Sequence, residues 1–214
     1  MRSLLSSLAL CLIALPVTAQ QQPAPPTTAP LAEGWQGRVD RANQNITEVK
    51  FMKMGNGLHV VTGPHVILWN PANTATGSYR ASASFTQAKA PERPEGYGLV
   101  VGGRDLDQPT QDYLYFLIRH DGNFMIRHRA GTEVHTLMDW TATDAIVKPG
   151  ATTSATNTLD IEALPQQVRF LVNGKEVHTM ERVPVLRTDG IAGLRVGHHL
   201  DVLVPSFSVQ PIAK

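Results

Sequence analysis

Apolar and polar positions alternate along this chain in short runs, and the alternation has period two almost throughout. Ser78 to Thr86 places Tyr79, Ala81, Ala83 and Phe85 on one face and hydroxyl or charged residues on the other. A period of two is that of a half-buried β-strand, because successive side chains leave the backbone on opposite sides. Asp112 to His120 repeats the pattern, with Leu114, Phe116 and Ile118 facing one way and Tyr113 and Tyr115 the other. Glu48 to Met54, Leu58 to Thr62, His65 to Trp69, Tyr97 to Val101, Asn123 to Arg129 and Thr132 to Trp140 read as further strands. So do Thr158 to Leu164, Gln167 to Val172, Lys175 to Met180 and a last run ending near Phe207. Gly55-Asn56-Gly57, Asp121-Gly122 and Asn173-Gly174 separate neighbouring runs. Such residues tolerate the positive φ that tight hairpins require. No stretch keeps the three-to-four spacing of an amphipathic helix. Residues 141–156, rich in Thr and Ala around Pro149-Gly150, read as a long surface connection with room for one short helical turn. Roughly a dozen strands without crossover helices predict two antiparallel sheets packed face to face.

The first thirty residues follow another pattern. Arg2 precedes an apolar stretch from Leu4 to Leu15, and Ala19 offers a small residue for cleavage. A stretch of roughly 12 residues is too short for a bilayer, which needs about 20. The pattern predicts a signal peptide over residues 1–19, export to the periplasm or medium, and no membrane span after cleavage. Cys11 follows Leu10, not the small residue expected before a lipid-modified cysteine. Gln20 to Pro30 holds only Gln, Pro, Thr and Ala, and predicts a flexible linker, set at residues 20–33, too polar to form a core. One domain over residues 34–214 follows, its folded part beginning near Trp35.

Cleavage would remove Arg2 and the only cysteine, leaving 18 of the 19 Lys and Arg against 18 Asp and Glu. Disulfides, thiolate metal sites and a cysteine nucleophile are then excluded. A balanced charge also argues against nucleic acid as a partner, because phosphate binding needs clustered excess cation.

The closing run Val168-Arg169-Phe170-Leu171-Val172-Asn173-Gly174-Lys175, then Asp189-Gly190-Ile191-Ala192-Gly193-Leu194-Arg195-Val196, resembles the last strands of concanavalin A-like, or laminin G-like, sandwiches. Gly96-Tyr97-Gly98-Leu99-Val100-Val101-Gly102-Gly103-Arg104-Asp105 with Tyr113 to Arg119 and Asp121-Gly122-Asn123-Phe124 extends the likeness over most of residues 78–208. The chain is similar to exported bacterial proteins of the concanavalin A-like lectin/glucanase superfamily, including keto-sugar hydrolase-like domains. The resemblance implies an all-β, two-sheet antiparallel jelly-roll β-sandwich. For function it implies a non-catalytic carbohydrate-binding or surface-interaction module, or an exported glycoside or keto-sugar hydrolase or lyase. A structural module docking another protein is a third reading, whose sign would be a large exposed apolar patch. Fold alone does not choose among them, and no motif speaks to oligomeric state.

Candidate chemistry is sparse. Glucanases of the superfamily carry E-x-D-x-E on one strand. Here Asp160 and Glu162 are present but Thr158 stands where the first carboxylate belongs, so that activity is not expected. Glu133 and His135 share a strand face near Asp139 and Trp140, a carboxylate and imidazole suited to acid–base work. Tyr113, Tyr115, Arg119, Arg127 and Arg104 are the candidate ligand-binding residues: aromatic faces for sugar stacking and planar guanidinium forks for hydroxyl, carboxylate or sulfate groups. The opposing expectation is that nearby Asp residues neutralise the arginines and that the tyrosines fill a second apolar interface. For a metal, Asp105, Asp107 and Asp112 offer oxygen ligands for a structural Ca²⁺. His199 and Asp201, two apart, offer a pair for Zn²⁺ if that segment is extended. His59, His65 and His178 are further donors that no spacing joins.

Overall fold

A computed structural model describes residues 31–212 except 89, 151 and 152. The expected signal peptide and most of the linker therefore lie outside the described residues. Fourteen strands are present: β1 Gln36–Val39, β2 Lys50–Met54, β3 Gly57–Val61, β4 Val66–Ala75, β5 Tyr79–Gln87, β6 Gly96–Arg104 and β7 Asp112–Arg119. They continue with β8 Asn123–Ala130, β9 Glu133–Ala142, β10 Ala155–Ala163, β11 Gln167–Val172, β12 Lys175–Glu181, β13 Gly190–Val196 and β14 Asp201–Pro211. All pairings are antiparallel, in two seven-stranded sheets. One sheet, called the front sheet, runs β1-β4-β13-β6-β7-β8-β9; the back sheet runs β12-β11-β10-β5-β14-β3-β2. This is a jelly-roll β-sandwich.

Local chemistry explains the hairpins, and hydrophobic alternation explains the stacking. Asn173 and Gly174 turn β11 into β12 with φ of 53° and 78°, values a β-branched residue would resist. The inward residues of β5 (Tyr79, Ala81, Ala83, Phe85) meet those of β6 and β7 across the sandwich. Phe85 packs on Tyr97 at 5.3 Å between ring centroids and Phe116 on Phe170 at 5.4 Å, each pair joining one sheet to the other. Burial of this interior supplies the main driving force for folding.

Three features extend the sequence-based expectations. β1 was not anticipated; its four residues add an edge to β4. β4 runs on through Pro71 to Ala75, and β14 continues to Pro211. The connection after β9 is not wholly superficial, because Ala145 and Ile146 are buried in the core. No helix among the described residues is long and apolar enough to cross a membrane.

Candidate ligand groove and histidine cluster

Strand order sets the site. The outer face of the front sheet carries a second apolar cluster, in which Tyr113, Tyr115 and Leu117 of β7 meet Ile67 and Trp69 of β4, Val100 of β6 and Met125 of β8. Leu106, from the loop after β6, joins this cluster at the Tyr113 end. Arg38 of β1 fixes that loop by donating from Nη1 to the carbonyl oxygens of Gln108 at 2.6 Å and Leu106 at 3.4 Å. Tyr113 is consequently only 1% exposed and offers no ring face to a ligand. Its hydroxyl accepts from Arg195 Nη1 at 3.1 Å and does not reach solvent.

The opposite half of the face is open. A groove of about 200 Å³ lies there, with Tyr115, Leu117 and Met125 as floor and Trp140, Arg127 and Arg195 around it. Tyr115 and Arg127 are direct partners in the β7–β8 register. Trp140 fits over Gly96: a Cβ added at Gly96 would lie 2.9 Å from its ring. Arg119 stacks on Trp140, its guanidinium carbon 4.2 Å from the ring centroid, while also binding Asp121. Arg195, largely buried, donates to Asp40 through both terminal nitrogens and lies 4.8 Å over the Tyr115 ring. Burial opposes the Asp40 charge, but Arg195 and a hydrogen bond from His65 outweigh it and hold the carboxyl far below its usual range.

Arg127 differs from its neighbours. Arg104 is bound to Asp112 at 2.8 Å and to the Asp189 carbonyl at 3.1 Å, and Arg129 to the Gly131 carbonyl at 2.8 Å. Among the described residues the Arg127 guanidinium makes no hydrogen bond; its Nε is buried without a partner and Asp139 lies 3.8 Å from Nη2. The sequence-predicted set thus divides. Tyr115 and Arg127 line one groove, and Arg119 stands behind it, stacked on Trp140. Tyr113 lies beneath the covered half, and Arg104 borders a separate cavity with Arg182 and Asp189.

The acid–base pair does not assemble into a site. His135 borders an apolar cavity of about 770 Å³ between the edges of the two sheets, together with Leu137, Met180 and Val183, but Glu133 is not part of its wall. The carboxylates Asp105, Asp107 and Asp112 do not converge either. Asp112 is taken by Arg104, and Asp105 accepts from Thr110 at 3.4 Å. His199 and Asp201 do not share a strand face: His199 adopts φ of 50° in the turn before β14, and Asp201 instead pairs with His59 at 2.7 Å. Among the described residues the one group of three side chains within metal-ligating reach is His65, Glu95 and His198.

That group follows from the pairing of β1, β4, β13 and β6. Val39 opposes Val66, Val66 opposes Val196, and Val196 opposes Tyr97. The residues just past those pairs therefore form a row along one end of the sheet: Asp40, His65, Gly197-His198 and Glu95-Gly96. His65 Nε2 meets Glu95 at 3.1 Å and His198 Nδ1 meets it at 3.6 Å, while His65 Nδ1 lies 3.4 Å from Asp40. The two imidazole rings are 3.7 Å apart, tilted by 35°. Desolvation, then the neighbouring His65, push the His198 imidazole below its ordinary pKa. Of these residues the sequence singles out only His65 as a possible donor. A spacing of 30 residues to Glu95 and 103 more to His198 leaves no local signal.

No protein-family model matches the chain, and no curated protein matches it. Solved structures do. The carbohydrate binding module CBM66 from Bacillus subtilis is similar over 85% of this chain and 99% of its own, at 8% identity and a TM-score of 0.58. The fold is the concanavalin A-like jelly roll. The Emp46p carbohydrate recognition domain is similar over 84% of this chain and 89% of its own, at 9% identity and a TM-score of 0.58. A potassium-bound form of that domain covers 84% and 90% at 10% identity, with a TM-score of 0.54. At such identities the likeness concerns architecture.

Proposed function

We propose that this chain is an exported carbohydrate-binding module whose groove on the outer face of the front sheet takes a saccharide bearing a carboxylate or sulfate group. The observation that carries this reading is Arg127: a guanidinium without a hydrogen-bond partner, set beside Trp140 and Tyr115 in a groove. Guanidinium binds such oxyanions bidentately and with charge assistance. The indole edge gives apolar surface for the C–H face of a sugar, while Tyr115, buried under Arg195, shapes the floor beneath it. Architecture supports the reading as well, since CBM66 and the Emp46p domain are by name carbohydrate-binding. A cleaved leader over residues 1–19 would place the module outside the cytosol on a tether that ends where Leu31 and Ala32 pack against the core.

The test is a glycan array covering neutral, uronic-acid and sulfated oligosaccharides, followed by titration calorimetry of the best ligand. Arg127→Ala and Trp140→Ala should each weaken binding at least tenfold, about 1.4 kcal/mol. Arg169→Ala, on the back sheet, should leave affinity unchanged. A glycan bound equally well by wild type, Arg127→Ala and Trp140→Ala would overturn the assignment.

A further inference from the structure

We propose that His65, Glu95 and His198 hold a divalent transition-metal ion, Zn²⁺ by its donor set, at the end of the ligand groove. Three observations carry this, and none depends on the glycan reading. The first is donor type and reach. Two imidazoles and one carboxylate present ligand atoms that all lie within 4.8 Å of one another. Tetrahedral Zn²⁺ with bonds near 2.0–2.1 Å places adjacent donors about 3.3 Å apart. His65 Nε2 lies 3.1 Å from one Glu95 oxygen and His198 Nδ1 3.6 Å from the other, so the carboxylate faces both imidazoles at about that spacing. A nitrogen-rich set with a single carboxylate suits Zn²⁺ and disfavours Ca²⁺ or Mg²⁺, which require oxygen shells.

The second observation is the support behind the donors. Metal-bound histidines characteristically turn their other ring nitrogen to a carboxylate or carbonyl, which fixes the ring and raises its basicity. His65 presents Nδ1 to Asp40 at 3.4 Å while Nε2 faces Glu95. Asp40 is itself anchored by the buried Arg195. Glu95 accepts from the His198 backbone N–H at 3.3 Å, so the carboxylate is aimed by the strand ends and not by a flexible stem alone.

The third observation is access. His65 and Glu95 border the groove, and Glu95 and His198 border a second cavity of about 720 Å³ on the other side. Three protein donors leave a fourth coordination position, and an open position is what distinguishes reactive or ligand-binding zinc sites from closed structural ones. Water, or an oxygen atom of a groove ligand, would take it.

The experiment is calorimetric titration of the full, tag-free chain with ZnCl₂, paired with the visible spectrum of the CoCl₂-loaded protein. One equivalent of Zn²⁺ is expected, with Co²⁺ giving the intense d–d bands of a tetrahedral site. Glu95→Gln, nearly isosteric, and His198→Ala should each weaken Zn²⁺ at least a hundredfold, with far-UV circular dichroism unchanged. His178→Ala, a histidine outside the cluster, should bind as wild type. Absence of saturable Zn²⁺ binding below millimolar concentration would overturn the proposal. So would undiminished affinity in both Glu95→Gln and His198→Ala, or displacement of Zn²⁺ by equimolar Ca²⁺.

Discussion

The two sheets use the same alternation and end with opposite exteriors. On the back sheet the outward residues of β5 and β10 form a polar ladder. Ser84 meets Thr158 and Thr86 meets Thr156, both at 2.8 Å, and Glu162 binds Arg80 and Arg169, which also holds Glu176 at 2.6 Å. On the front sheet the equivalent positions are Tyr113, Tyr115, Leu117, Trp69 and Met125, with arginines laid over them. An antiparallel sheet with one solvated face needs no apolar residues there. The front exterior departs from that economy, and its departures coincide with the groove, with Arg127, which makes no hydrogen bond, and with the histidine cluster. Where a sandwich breaks its own inside-out rule is where its chemistry is to be sought.

Removing an arginine from each exterior should expose the contrast most strongly. Arg195 is buried, and its loss strands Asp40 without its charge partner, so Arg195→Ala should cost about 3 kcal/mol in urea unfolding. Arg80, 52% exposed in its side chain, shares Glu162 with Arg169. Arg80→Ala should cost less, about 1 kcal/mol, because buried Glu162 keeps Arg169 at 2.8 Å and the half-exposed Arg80 makes a contact that solvent screens. Equal losses would mean that the two faces do not differ in how they use charge.

A subtler probe concerns the groove alone. In Gly96→Ala the new methyl meets the Trp140 ring at 2.9 Å and the Leu117 side chain at 3.2 Å. Trp140 must shift, so the variant should lose about 1–2 kcal/mol of stability and change the intrinsic fluorescence. Unaltered emission with unaltered stability would show that Trp140 is not seated on Gly96 as described.

How much of this was legible in the sequence depends on the distance over which each contact is built. Tyr115 and Arg127 share a site because the three-residue connection His120-Asp121-Gly122 fixes the register of β7 on β8, and turn chemistry is local. The strands themselves were readable for the same reason, down to the inward faces of β5 and β7. The row of Asp40, His65, His198 and Glu95 was not readable, because it requires β13 to lie between β4 and β6, an order no local pattern encodes. His199 and Asp201 failed as a pair for another cause. One residue with positive φ breaks the period-two parity that the expectation relied on. Tyr113 was ambiguous from sequence, since an outward tyrosine is a sugar platform or a covered core residue depending on a loop whose position is a tertiary fact. Arg38 and Leu106 decide it.

The smallest predicted effect isolates one hydroxyl on each face. Tyr113→Phe removes the oxygen that accepts from Arg195 Nη1 in a buried setting, and Ser84→Ala removes the hydroxyl paired with Thr158 on the half-exposed back sheet. A buried hydrogen bond to a charged group is worth more than a neutral one that water can replace. Tyr113→Phe should therefore cost about 1.5 kcal/mol and Ser84→Ala about 0.5 kcal/mol or less, read from urea midpoints at constant m-value. The chemical change is the same in kind, so the difference between the two measures how dry the front exterior is around Arg195. Should Ser84→Ala cost as much as Tyr113→Phe, water would be reaching Arg195 as freely as it reaches Thr158, and the covered half of the front sheet would have to be redrawn as open.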